Sequence, residues 1–225
     1  MPGTLSEART SHPDEVRGDP QKKESSPDVV RLPRRTIDKL LVGFGLIAAI
    51  VFAVAGGLLT WGANFSNDYV HDELSSQNVF FPDEASLREE GRDDLVKYAD
   101  EQVTTGPQAE AYASYIGGHL EEIADGQTYS EIDDRGAAEA VEEARASGAS
   151  EAEVEELQAT ADQLRGQRDS LFKGETLRGL LLSSYAWSTI GRIAGIAAWV
   201  AFAGAIVLAG LVVAGLVHLR RSPTS

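Results

Sequence analysis

Two unbroken apolar runs, 40–60 and 193–216, stand out along this chain, and neither contains a charged side chain. Between them, acidic residues recur every few positions. A hydrocarbon layer about 30 Å thick takes roughly 20 residues of helix to cross, so each run predicts one transmembrane helix. The division this gives is a polar, disordered cytoplasmic tail at 1–38, a first span at 39–61, a central domain at 62–189, a second span at 190–218 and a short tail at 219–225.

The periodicity within the central domain is helical throughout. Trp61, Phe65, Tyr69 and Leu74 recur at near-helical spacing, so the first span continues outward as helix until Phe80-Phe81-Pro82 stops it. Asp83 and Ser86 can cap the next segment, and 93–103 reads as a short helix ending before Thr104-Thr105-Gly106-Pro107. The segment 108–124 is the clearest amphipathic helix: Tyr112, Ile116, Leu120 and Ile123 form one stripe, Tyr115 borders it and Gly126 ends it. Gly117-Gly118 inside that helix costs about 1 kcal/mol per glycine relative to alanine, which predicts a close neighbour or a kink.

The stretch 128–150 is polar and predicts only a short exposed helix at 139–146. Ser150 as N-cap with Glu153 at the capping-box position then opens a long helix. Leu157, Leu164 and Leu171 come next at heptad spacing, and Leu177, Leu181 and Tyr185 carry the stripe into the second span. No alternating strand pattern competes. The expected fold is all-α: two transmembrane helices flanking an extracytoplasmic helical hairpin or small bundle, built on the outward extensions of both spans and closed by 108–124. Within the spans, Ala49, Ala53 and Gly57 on one side and Gly191 and Gly195 on the other form small-residue faces that let helices approach.

Charge sets the expected orientation. Arg34, Arg35 and Lys39 precede the first span, Arg220 and Arg221 come after the second, and basic flanks are retained in the cytoplasm. The segment 62–189 holds 28 Asp and Glu against 9 Lys and Arg. Both termini are therefore expected inside a plasma membrane, with the acidic domain outside it. Trp61, Tyr185 and Trp187 fall where amphipathic rings prefer the headgroup layer, and Arg192 can snorkel outward. The flank before 40 and Ala53-Val54-Ala55 also fit a cleaved leader. The apolar run continuing to Trp61 and the long polar tail before it favour an uncleaved anchor.

Composition then narrows the chemistry. The absence of cysteine removes disulfides, thiol catalysis, iron–sulfur clusters and Cys-ligated zinc. A net charge of −15 argues against nucleic acid as a partner. Of the four histidines, only His71 and His119 could share a site with Asp72, Glu73, Glu121 or Glu122 as a two-His, one-carboxylate centre. Solvated helix-face histidines are the preferred reading, because no HExxH or His-x-His spacing is present. Asp133-Asp134 and Glu151, Glu153, Glu155 and Glu156 lack the ligand order of a calcium loop. No Gly-x-Ser-x-Gly or phosphate-cradling glycine loop occurs. No catalytic, metal or cofactor residue is assigned.

Several stretches occur together in one order: Val79-Phe80-Phe81-Pro82, Tyr98-Ala99-Asp100, the run from Thr105 to Ala113, His119-Leu120, Thr128-Tyr129-Ser130 and the run from Gly174 to Leu181. In this the chain, apart from its N-terminal tail, resembles a group of uncharacterised actinobacterial two-span membrane proteins. The resemblance implies no activity beyond the label of aromatic ring-opening dioxygenase that some relatives carry, and that label implies metal chemistry. The expectation from residues and resemblance together is a non-enzymatic protein of the cell envelope. Its helical domain would bind a membrane protein partner or a second copy, with a sensor-like accessory subunit as the alternative and a metal-dependent enzyme as a remote one. Its constant partner would be the lipid bilayer.

Overall fold

The computed structural model describes residues 33–221, and every regular element in it is helical. Two long helices dominate: α1, Arg34–Ser76, and α5, Glu151–Arg221. Between them lie α2, Glu84–Glu89; a 3-10 turn, Asp93–Tyr98; α3, Gly106–Ile123; and α4, Asp134–Ser147. The tail 1–32 falls outside the described residues. No proline, which would break a helix interior, falls within either long helix, and Pro33 stands just before α1. At about 1.5 Å per residue the 71 residues of α5 make a rod of roughly 105 Å.

α1 and α5 pack antiparallel. A Cβ at Gly215 would meet the Val42 side chain at 2.7 Å, one at Gly45 would meet Val212 at 2.9 Å, and one at Gly56 would meet the Phe202 ring at 2.9 Å. Further along, the Ser66 hydroxyl donates to the Trp187 carbonyl at 2.6 Å. The hairpin therefore has an apolar half, holding 40–60 and 193–216, and a polar half. Each apolar segment is long enough to cross a membrane, and only 11% of the most apolar stretch of either helix is buried.

The seam of α1 is Ala49, Gly56, Ala63 and Val70, one residue every seven, and all are buried. A step of seven drifts only about 20° around a helix, so this row stays on α5. Steps of four drift further. Ala53 and Gly57, expected to share Ala49's face, are accordingly exposed, and nothing lies within 4 Å of a Cβ built on Gly57. On α5, Gly191 lies against Ser66, and Gly195 makes ordinary contact with Ala63 at 3.8 Å.

In the polar half, Val70 and Leu74 from α1 and Leu181 from α5 join Phe81, Val103, Ala109 and Ala113 in one core. The segment expected as a helix at 93–103 is helical only to Tyr98. Asp100 turns into the left-handed region, and the chain then runs back beside 79–81. There Phe81 N–H donates to Glu101 O and Val103 N–H to Val79 O, both at 2.9 Å. That clasp closes the loop carrying α2, whose N-cap Asp83 accepts from Ser86 N–H at 3.0 Å.

α3 begins at Gly106 because Thr105 and Gln108 form a reciprocal capping box. α4 departs from the sequence expectation. It spans 14 residues, ends on the left-handed Gly148, and packs on α5 with Val141 and Ala144 buried. Two small apolar residues three apart suffice for one narrow contact, too narrow to register as a sustained stripe. The Ser150 hydroxyl accepts from Glu153 N–H at 3.3 Å and starts α5.

Candidate functional site: a cleft between the long helices

A partly enclosed recess lies where α1 and α5 leave their apolar halves. Its volume is about 350 Å³. The core residues Val70, Leu74, Val103 and Leu181 form its floor, with Tyr112 of α3. Tyr69 from α1 and Leu177, Leu180 and Trp187 from α5 form the walls. Polar groups occur at Glu73 on α1, at Gln77 capping its end, and at Ser183 and Ser184 on α5. The size suits a small organic group or part of a longer chain, and the mostly apolar lining suits an apolar one. No nucleophile–base pair lines it.

The floor is held by α3. Gln108 Oε1 accepts from Thr104 N–H at 3.0 Å and Thr105 N–H at 3.1 Å, while its Nε2 donates to Glu101 Oε2 at 2.9 Å. Gly106 lets α3 start directly against α5, since a Cβ there would lie 2.3 Å from Ser188 Cβ. Two arginines hold α3 from outside: Arg178 Nε donates to Ala113 O and Arg92 to Ser114 O, both at 3.2 Å. These carbonyls lie four residues before Gly117 and Gly118, whose missing Cβ atoms leave room for the guanidinium groups; a Cβ on Gly117 would sit 3.2 Å from Arg178 Nε. The close approach at Gly117 comes from the neighbouring helix α5 through Arg178, and Arg92 lies in ordinary contact at Gly118.

An aromatic chain backs the cleft. Phe81 stacks on Tyr98 and meets Tyr112 edge-on, each at 5.2 Å between centroids. Tyr112 then contacts Tyr115, and Tyr115 contacts His119 at 4.6 Å. Burial, and then a hydrogen bond to Glu90, push the Tyr115 hydroxyl up to about 12. Burial alone raises Tyr112. Neither phenol is an acid or base near neutral pH. Arg92, bonded to the Asp94 carboxylate, lowers that acid's pKa.

The residues singled out from sequence fall in different surroundings. Tyr112 and Ile116 pack at the edge of the core, Leu120 and Leu171 are buried together, and Leu164 packs half-buried on that pair. Leu157 is half-buried. Ile123 is 45% exposed, so the stripe ends at Leu120 and the buried row passes instead through Ala109, Ala113 and Ala124. Those alanines escaped notice because their small side chains carry little hydrophobic signal. Arg34, Arg35, Lys39, Arg220 and Arg221 are exposed, and the antiparallel packing gathers them at one end of the hairpin. His71 is exposed on α1, and His119 rests on Tyr115. Among the described residues no three histidine or carboxylate side chains are grouped to hold a metal ion, so His71, His119 and their neighbouring acids are not brought together.

No family model, curated protein or solved structure matches this chain.

Proposed function

We infer that this protein is a two-span membrane protein whose acidic helical domain stands outside the membrane as a rigid platform for a protein partner. One observation carries this reading. Both long helices pass from the apolar half into the polar half without a break, and both contribute to its core through Val70, Leu74 and Leu181. A domain built this way cannot swivel on a linker, so its surface keeps a fixed height and angle. The bare apolar surface of the two helices supports the membrane assignment: Leu58, Ile196, Trp199 and Ile206 are each more than 60% exposed and need lipid or protein to cover them. The second apolar segment is far from the N-terminus, and its exposure is unlike that of a soluble core helix. The basic end of the hairpin supports both termini lying in the cytoplasm.

The chain has no cysteine, so single introduced cysteines report topology directly. Ala146→Cys, on exposed α4, is expected to react with an impermeant maleimide in intact cells. Thr36→Cys, at the exposed start of α1, is expected to react only after lysis. The reverse pattern overturns the orientation. For the platform role, photocrosslinkers on the exposed faces of α3 and α4 should trap one stoichiometric membrane protein. Adducts with none would favour the second reading, a sensor-like accessory subunit that takes a small ligand. The cleft against α1 and α5 is the observation behind that alternative.

A further inference from the structure

The cleft has a polarity that neither a protein platform nor a generic pocket explains. Trp61, Phe65, Tyr69 and Glu73 of α1, and Gln77 at its C-cap, recur at steps of four and wind slowly around the helix. The first three rings stack in a ladder, Trp61 on Phe65 at 5.8 Å and Phe65 on Tyr69 at 6.3 Å. All three are more than half exposed, and the last of them is a wall of the cleft. Across from it, Trp187 is half exposed and also lines the cleft, while its carbonyl accepts from Ser66. An apolar track therefore leads from the end of the first span into the recess, and Glu73 and Gln77 stand one and two turns further on. The track runs apolar near the membrane and polar away from it, which is the order of a lipid's chain and head. Among the described residues Glu73 has no ion-pair partner. The far end of the track therefore carries one unpaired carboxylate, which favours a head that offers an ammonium group over one that offers only negative charge.

We propose that the cleft binds a membrane lipid with a primary-ammonium headgroup, its chain lying along the aromatic ladder and its ammonium group at Glu73. This rests on the two-span reading above. Drawing a chain partly out of the bilayer leaves it in apolar contact with Tyr69, Leu180 and Trp187, so little of its hydrophobic burial is lost. The aromatic rings supply faces on which an alkyl chain packs well. Discrimination between heads then falls to one carboxylate.

The chain's three tryptophans allow a direct test. The full-length chain is reconstituted in phosphatidylglycerol vesicles carrying a few mole per cent of a guest lipid with brominated chains, either phosphatidylethanolamine or phosphatidylglycerol. One reporter keeps only Trp187 (W61F/W199F), and a second keeps only Trp199 (W61F/W187F), within the second span. For Trp187 the phosphatidylethanolamine guest is expected to quench about threefold more efficiently at equal mole fraction, the size of one partly exposed ion pair. For Trp199 the two guests should quench alike. Glu73→Gln, at an exposed position, should abolish the Trp187 preference with helix content unchanged by circular dichroism. Equal quenching of Trp187 by both guests overturns the proposal, and so does a preference that survives Glu73→Gln. Vesicle flotation separates the two levels: a chain that floats without head preference keeps the two-span reading and loses this one, and a chain that fails to float loses both.

Discussion

Gln108 and Gly106 show how much of the cleft depends on single side chains in one helical turn. Gln108 Oε1 takes the backbone N–H groups of Thr104 and the N-cap Thr105, just before α3, and Gln108→Ala is expected to cost about 1 kcal/mol, read as a lower midpoint in denaturant. Gly106→Ala should cost about 1–3 kcal/mol by overpacking, because the obstacle is the Cβ of Ser188, which has no rotamer to escape into. Gly57→Ala is the matched control: with nothing within 4 Å, it should leave the midpoint unchanged or raise it. Asp134 gives a pH test. Its side chain bonds to Arg168, whose guanidinium also stacks on Tyr129 at 4.6 Å, and this pairing holds its carboxyl below the ordinary value of 3.8. A depressed carboxyl adds stability that is complete above its unfolded value and disappears as pH falls through the folded one. The melting-temperature difference between the natural chain and Asp134→Asn should thus be constant at neutral pH, begin to shrink as pH falls below 3.8, and vanish once pH is below the depressed folded value. A difference that grows on acidification would contradict the pairing.

At the scale of elements, legibility in the sequence tracked signal strength. The apolar segments, the cap at Ser150, the helix around 108–124 and the exposed ends of the hairpin announce themselves through long runs or strong residue types. α4 and the α1 seam do not, because both pack through few and mostly small residues, Val141 and Ala144 in one and Ala49, Gly56 and Ala63 in the other. Hydropathy cannot separate Ala53, which is exposed, from Ala49, which is buried; only the phase of the seven-residue row does so. The cleft was illegible for a further reason. Its walls come from Tyr69 and Trp187, more than a hundred positions apart, and their pairing is set by the register of two helices. The heptad leucines illustrate the gradient within one element. Leu171→Asn, at a buried site beside Leu120, is expected to destabilise by several kcal/mol, whereas Leu157→Asn, half-buried near the start of α5, should cost clearly less. Equal losses in thermal unfolding would show that α5 is held along its length by something other than this graded contact.

For the whole molecule, the single bond from Ser66 to Trp187 spans 121 positions of sequence, and the core that holds Val70 and Leu74 also needs Leu181. A ribosome emits residues from the N-terminal end at roughly 5–20 per second, so α1 waits many seconds before its neighbour exists. During that wait α2, α3 and the turn at Asp93–Tyr98 have only part of their core, and α4 has no surface to lie on, because that surface is α5. α5, made after them, is therefore the helix against which α1, α3 and α4 are assembled. Maturation of this fold is a late, nearly simultaneous event gated by arrival of α5, and a nascent chain stalled before 181 would present its unfinished core to quality-control proteases.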